Sequence, residues 1–292
     1  MATPTRMVDF EVPEFDYTDY SNRELAAVPL AVLGLALLVL LAWYVLTGVP
    51  VTPGIEFTGG TEVRFATADS QAEIESTFSD IGIESLSPVS GENTYILTTQ
   101  SDETGQIEST AQDAGYEISS IQSRSPSFGA SSQQQALYGL LIAFAGMSAL
   151  VFLLFRTFVP SIAVVLSAFS DIMIPLALMN VLGIKLTLGT VAALLMLIGY
   201  SVDSDLLLNN HILRRRGDFY ESAFRAIRTG ITMTLTSIAA MITMTIVSSL
   251  LAIPLLPEIG LVLTIGLTAD LMNTYLLNMS LLRWYKFEGV TR

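Results

Sequence analysis

Long apolar stretches alternate with short polar ones along this chain, and six are long enough to cross a bilayer core, which takes about 20 residues of helix. The run from Ala26 to Gly48 carries no charge and closes on Trp43 and Tyr44, residues suited to a membrane–water boundary. No charged residue falls between Arg124 and Arg156, which leaves room for a second span from about Gln135 to Phe155. A third is predicted from about Val159 to Leu182 and a fourth from about Leu186 to Asn210. A fifth lies between Arg228 and Glu258, and a sixth runs from Ile259 to Leu282. Pro254 and Pro257 mark the turn between the last two. The first apolar run follows a polar, acidic stretch and is long enough to span, so it does not read as a cleavable signal peptide.

The polar interval between the first two spans has a different periodicity. Gly54 to Ala66 alternates β-branched or aromatic residues with polar ones, as a strand does. Ser70 to Gly82 spaces Ile74, Phe78 and Ile81 as a helix does and ends on glycine. Two strands, Ile83 to Val89 and Tyr95 to Thr99, flank the turn Ser90–Asn93. A helix at about Glu103 to Ala114 and a strand from Tyr116 to Gln122 complete the order strand–helix–strand–strand–helix–strand, that of a ferredoxin-like α+β sandwich. The expected organisation is therefore an acidic N-terminal stretch at 1–25, a first transmembrane helix at 26–48 and an extracytoplasmic α+β domain at 49–134. The remaining five helices follow at 135–283, with a short tail at 284–292.

Charge sets the orientation. The chain holds 14 Lys and Arg against 27 Asp and Glu, a net charge of −13, and lysine occurs only at Lys185 and Lys286. A cytoplasmic amino terminus puts Arg6, Arg23, Arg156, Arg214, Arg215, Arg216, Arg225, Arg228, Arg283, Lys286 and Arg292 inside. Only Arg64, Arg124 and Lys185 are then outside, in line with the positive-inside rule. The chain is thus expected in the cell membrane as a multi-pass protein with both termini cytoplasmic. The acids crowd into the first residues and into Glu56 to Glu117; acid-rich, lysine-poor surfaces suit concentrated salt, where repulsion is screened within a few ångströms. That points to a salt-loving microbial source. The chain has no cysteine, which excludes disulfides, thiol catalysis and thiolate metal sites. The loop domain lacks a nucleophile–base pair, a metal-ligand cluster and a basic groove. No enzyme, metal, cofactor or nucleic acid is therefore expected, and the domain reads as a docking module.

Four carboxylates interrupt the spans: Asp171, Asp203, Asp205 and Asp270. Each costs at least ~2.5 kcal/mol at mid-bilayer, so such residues are functional candidates. Asp203 and Asp205 are about 200° apart on a helix. Met196, Gly199, Asp203 and Asn210 form one stripe; Ser201, Asp205 and Asn209 form another. Arg228 is the one base at a suitable depth. Several acids with at most one base cannot all be ionised in a dry site, the condition for a proton relay; interhelical hydrogen bonding worth only ~1 kcal/mol is the plainer role. His211 reads as an interfacial residue. Gly59 and Gly60, set in a strand of bulky residues, read as a bulge or tight bend.

Two segments carry a family resemblance. Gly54-Ile55-Glu56-Phe57-Thr58-Gly59-Gly60-Thr61 resembles the Asp-Phe-x-Gly-Gly signature of the SecD and SecF export proteins, with Glu56 where aspartate is usual. Gly199-Tyr200-Ser201-Val202-Asp203 is similar to the Gly-Tyr-Ser-(Ile/Val/Leu)-Asn-Asp signature of the SecF side, and Arg228-Thr229 resembles the start of its fifth span. The acid of the second signature is shifted here by one position, about 100° of rotation. The resemblance, to the SecD/SecF family within the resistance–nodulation–division superfamily, covers essentially the whole chain. It implies an accessory subunit of the Sec protein translocase that uses the transmembrane ion gradient, proton or sodium, to promote export. The implied partners are a SecD-like subunit, the SecY channel complex, translocating unfolded polypeptide and membrane lipid. It makes Asp203 and Arg228 the candidate ion-coupling pair, with Asp171, Asp205 and Asp270 behind them. Three other readings stand beside it. An ion-coupled small-molecule or lipid transporter of the same superfamily would carry two six-span repeats. An intramembrane aspartyl protease would need a Gly-x-Gly-Asp element that is missing. A purely structural scaffold fits poorly with so many membrane acids.

Overall fold

The computed structural model describes residues 17–89, 93–214, 219–251, 253 and 255–289. The acidic stretch before Tyr17 with Arg6, the turn residues Ser90 to Glu92, Arg215, Arg216, Pro254 and Arg292 lie outside the described residues. Among the described residues, six helices are long and apolar enough to cross a membrane. The first is α1 (Asn22–Thr47), opened by a capping box in which Ser21 and Glu24 satisfy each other's backbone N–H groups and closed by Gly48 in the left-handed region. After the sheet domain come α5 (Pro126–Phe155), α6 (Phe158–Leu182), α7 (Leu188–Arg214), α8 (Phe219–Leu250) and α9 (Leu256–Met272). The last of these continues through a π-helical stretch, Asn273–Asn278, into α10 (Met279–Trp284).

The helices are not equivalent. Of each best apolar window, 61% is buried in α6, 50% in α7 and 56% in the α9 span, against 6% in α5 and 11% in α8. The first three form the centre of the bundle, and the other two show their apolar faces outward, as helices do in contact with lipid or a second protein. Glycines let the central helices close up. A Cβ on Gly266 of α9 would stand 2.3 Å from Leu197 Cδ2 of α7, and one on Gly260 would stand 2.3 Å from Thr245 Oγ1 of α8. Two helices start well before the spans expected for them. α5 begins at Pro126, with Ser125 accepting from the Phe128 N–H. α8 begins at Phe219, because Phe219, Ala223, Ala226 and Ile227 bury one face against Leu208, Ile212, Tyr275 and Leu282. Arg228 therefore lies inside α8 rather than at its start.

The sheet domain holds β1 (Gly60–Ala66), α3 (Gln71–Thr77), β2 (Ile83–Val89), β3 (Thr94–Thr99), α4 (Thr104–Asp113) and β4 (Glu117–Arg124). The strands are antiparallel in the order β2-β3-β1-β4, the ferredoxin-like arrangement. One sheet face packs Val63, Phe65 and Leu97 against Ile74, Phe78, Ile107 and Ala111 from the two helices. The alternating stretch from Gly54 corrects one expectation. Its first part is not strand but a helical turn, α2 (Ile55–Thr58), and the strand starts only at Gly60. Gly59 (φ +80°) and Gly60 (φ +106°) make the turn between them. Their surroundings also leave no room for a side chain, since a Cβ would lie 2.7 Å from Pro126 Cα and 2.3 Å from Thr99 O respectively.

Candidate functional site

The α2 turn ties the sheet domain to the bundle. The Gly54 N–H donates to Leu186 O and the Leu186 N–H to Thr52 O, both at 2.8 Å. Asn180 Nδ2 donates to Pro50 O at 2.8 Å. The Glu56 carboxylate accepts from the Leu188 N–H, the first amide of α7. Thr187 caps that helix as well, its Oγ1 accepting from the Thr190 N–H at 3.1 Å. Gly129 of α5 fits under α2, where a Cβ would be 2.7 Å from Phe57 O. So Glu56, Phe57, Gly59 and Gly60 form a strut between β1, α5 and the start of α7.

Beside the strut, a cavity of about 390 Å³ separates the other sheet face from the bundle; Glu56, Glu62, Arg64, Lys185 and Glu258 line it. Lys185 Nζ donates to Ser85 Oγ of β2 at 3.0 Å. Burial holds the Glu62 carboxyl above the usual glutamate range, against the pull of Lys185 and Arg64 and with a further push from Glu56. At the opposite end of the bundle, the buried Arg283 guanidinium donates to Tyr17 O, to Asn22 Oδ1 and, at 2.6 Å, to Tyr20 O. Burial there pushes the Tyr17 hydroxyl up to about 12. His211 Nδ1 donates to Leu207 O within its own helix.

The membrane carboxylates divide sharply. Asp171 of α6, Asp205 of α7 and Asp270 of α9 are fully or almost fully buried and belong to one polar network. Asp171 accepts from Ser201 Oγ and from Asn273 Nδ2, both at 2.6 Å. Asp205 accepts from Asn278 Nδ2 at 2.7 Å and from Thr274 Oγ1 at 2.8 Å. Asp270 accepts from Ser204 Oγ at 2.8 Å and lies 3.2 Å from the same Thr274 hydroxyl. The π-helical stretch makes this possible. Its hydrogen bonds skip five residues, so Asn273, Thr274 and Asn278 share one face and all reach inward. Each of these donors is neutral. Ionising two carboxyls that share one threonine hydroxyl therefore costs Coulomb energy that neutral dipoles offset only in part.

Asp203 is elsewhere. The stripe of Met196, Gly199, Asp203 and Asn210 is exposed, while Ser201, Asp205 and Asn209 are fully buried. Arg228, on the neighbouring α8, is exposed too. The structure thus brings together Asp171, Asp205 and Asp270 and leaves Asp203 and Arg228 on the outer surface. Residues missed from sequence are Ser204, Asn273, Thr274 and Asn278. The one signal for them was polarity within an apolar span, since neutral hydroxyls and amides cost too little to stand out.

Comparison with known proteins agrees with this architecture. Residues 105–288 match the family described as "Protein export membrane protein SecD/SecF, C-terminal". A "Protein-export membrane protein SecF" of Haloferax volcanii is 65% identical over 288 residues, covering 98% of this chain and 100% of its own. Its counterpart in Haloquadratum walsbyi is 61% identical, covering 98% of this chain and 100% of its own. The crystal structure of SecDF, a translocon-associated membrane protein from Thermus thermophilus, shares the fold with a TM-score of 0.73 at 20% identity. That match covers 97% of this chain and 40% of that one. The acid-rich, lysine-poor composition expected of a salt-adapted source accords with the first two relatives.

Proposed function

The chain belongs to the SecF family of protein-export membrane proteins, and on that footing we propose that it couples the transmembrane ion gradient to protein export as an accessory subunit of the Sec translocase. It acts without catalysing a covalent reaction. The observation that carries this reading is the convergence of three buried carboxylates from α6, α7 and α9 on a network of neutral donors. Such a network takes up positive charge, as proton or as cation, more readily than it stays anionic, and membrane-embedded acids of this kind mark ion pathways. Movement at the network reaches the sheet domain through α7, whose first amide is held by Glu56.

The partner is a SecD-like subunit seated over the outward stripe of α7. A carboxylate within a span does not face hydrocarbon without a cost, so the exposed Asp203 calls for a protein neighbour, and Arg228 of the adjacent α8 is exposed as well. A six-helix unit matching two fifths of a SecDF chain leaves room in such an assembly for the other half. Both termini lie in the cytoplasm, the 49–134 domain faces outward, and there it meets unfolded polypeptide leaving the SecY channel.

The test is export of a secreted reporter in cells at matched expression. Asp205→Asn keeps size and hydrogen bonding but loses the charge, and collapses export while the protein still inserts and binds its partner. Asp203→Asn weakens recovery of the SecD-like subunit on co-purification. Wild-type export in Asp205→Asn refutes the coupling reading, and undiminished recovery of the SecD-like subunit with Asp203→Asn refutes the placement of the partner.

A further inference from the structure

Away from the buried carboxylates, a second void of about 400 Å³ lies between α5 and α7. Its walls run from Phe128 to Gly139 on α5 and from Leu188 to Leu195 on α7. Phe128, Ser131, Gln135 and Gly139 follow helical spacing along one face of α5. Both helices begin beside the sheet domain, α5 directly after β4, so the void lies in the leaflet on that side. At its deeper end Gly139 leaves room: a Cβ there would meet nothing within 4 Å.

Shape and chemistry together narrow the occupant. The lining stretch of α5 spans roughly 16 Å of helix axis, so a void of this volume is thin. A helix of ordinary width takes up roughly 400–600 Å³ for each turn, so no helix of a second subunit fits inside, whereas one hydrocarbon chain does. The half nearer the sheet domain is polar. The side chains of Ser131, Ser132 and Gln135 line it and form no hydrogen bond among the described residues. At the same end Arg124, the last residue of β4, holds its guanidinium 5.8 Å from the centroid of the Phe128 ring. Arg124 is exposed and forms no ion pair among the described residues. The other two basic residues on this side, Arg64 and Lys185, line the cavity under the sheet instead.

We propose that the void between α5 and α7 holds one anionic phospholipid of the leaflet on the sheet-domain side, with a hydrocarbon chain along Ala136 and Gly139 and its phosphate group at Arg124, Ser131 and Gln135. A thin apolar slot with hydroxyl and amide donors at its mouth and an uncompensated cation above them matches the build of such a molecule. A zwitterionic headgroup brings its own cation and gains less from Arg124. The bound lipid joins α5 to α7 next to the contact of Gly129 with Phe57, and so supports the strut from its membrane side.

The experiment uses the full chain, reconstituted into phosphatidylcholine vesicles at low salt. The chain has no cysteine, so one introduced thiol carries a fluorophore at a unique place. Leu188→Cys reports on the void. Val45→Cys, exposed near the same end of α1 in a stretch without basic residues, reports on bulk lipid. Phosphatidylglycerol with brominated chains, a quencher, then replaces phosphatidylcholine stepwise. Quenching at Val45→Cys should follow the mole fraction. At Leu188→Cys it should reach its half-maximum at about five-fold less brominated lipid, the equivalent of ~1 kcal/mol from one basic residue near anionic lipid. Brominated phosphatidylcholine should show no such excess, and Arg124→Gln should abolish it. Gly139→Leu, which fills the open space, should lower quenching at Leu188→Cys with either lipid. Equal quenching at the two positions overturns the proposal and leaves the void to side chains of a partner subunit. An excess that survives Arg124→Gln, or that brominated phosphatidylcholine reproduces, overturns the anionic assignment. Should Gly139→Leu fail to insert, the Arg124→Gln and phosphatidylcholine comparisons decide.

Discussion

Removing the Glu56 carboxylate should loosen the start of α7 by an amount that follows from its contacts. The first amide of that helix, Leu188 N–H, has no partner within the helix and is met by a side chain 132 residues away. Replacing a capping side chain by alanine costs ~1 kcal/mol. The negative charge at a helix N-terminus adds ~0.3–1 kcal/mol, of which concentrated salt and the half-exposed position of Glu56 leave the lower part. A loss of ~1–1.5 kcal/mol corresponds to local opening about five- to ten-fold more often. Hydrogen–deuterium exchange of the full chain, followed by mass spectrometry over residues 186–192, reads this directly. Glu56→Ala should speed exchange in that peptide by that factor and leave the centre of α6 unchanged. Glu56→Gln, which keeps an acceptor without the charge, should fall between the two. Unaltered exchange at 186–192 in Glu56→Ala would show that the carboxylate does not hold the helix, and that the Thr187 cap and the backbone bonds of Gly54 and Leu186 carry the strut without it.

Gly129→Ala forces a methyl group to within 2.7 Å of Phe57 O and 2.8 Å of Gly59 N, and should destabilise the chain by ~1–3 kcal/mol in thermal unfolding; Gly139→Ala, which meets nothing within 4 Å, should be neutral or mildly stabilising. Glu62→Gln should raise the melting temperature near neutral pH. Burial makes the folded protein hold the Glu62 proton more tightly than the unfolded chain, so this contribution is full below the ordinary glutamate value of about 4.3 and fades as pH rises through the folded value. The gap between variant and wild type should close on acidification, and a gap that widens would contradict the assignment. Arg283→Met removes three donors from Tyr17, Tyr20 and Asn22, and chymotryptic cleavage at Tyr17 or Tyr20 should rise at least about ten-fold, equivalent to ~1.4 kcal/mol.

The six spans and the ferredoxin-like strand order were legible because each rests on a strong local periodicity. An apolar run of bilayer length has few alternatives, and the loop's alternation between two-residue and helical spacing names its elements in order. Local pattern misled where two signals coincided. Ile55 to Thr58 alternates like a strand, but Gly54 and Gly59 at its ends and the close approach of Gly129 turn it into helix. The candidate site shows the same limit. Helical geometry alone separates Asp203 from Asp205, yet which of them faces inward depends on the stripe of Ser201, Asp205 and Asn209 being the one buried in the bundle, where Ser201 meets Asp171 of α6, a tertiary fact. The π-helical stretch at Asn273–Asn278 left no mark in composition at all.

The two aspartates of α7 ride on one rigid rod, about 200° apart. Neither can be turned without turning the other. A subunit that grips the outer acid and swivels the helix by a single residue step, about 100°, rotates the inner acid away from Asn278 and Thr274 by the same angle. On the proposed coupling α7 would act as a camshaft: torque applied at the outer surface would be delivered to the centre of the bundle with no relay of side chains between them, and filling or emptying the centre would be felt outside as torque.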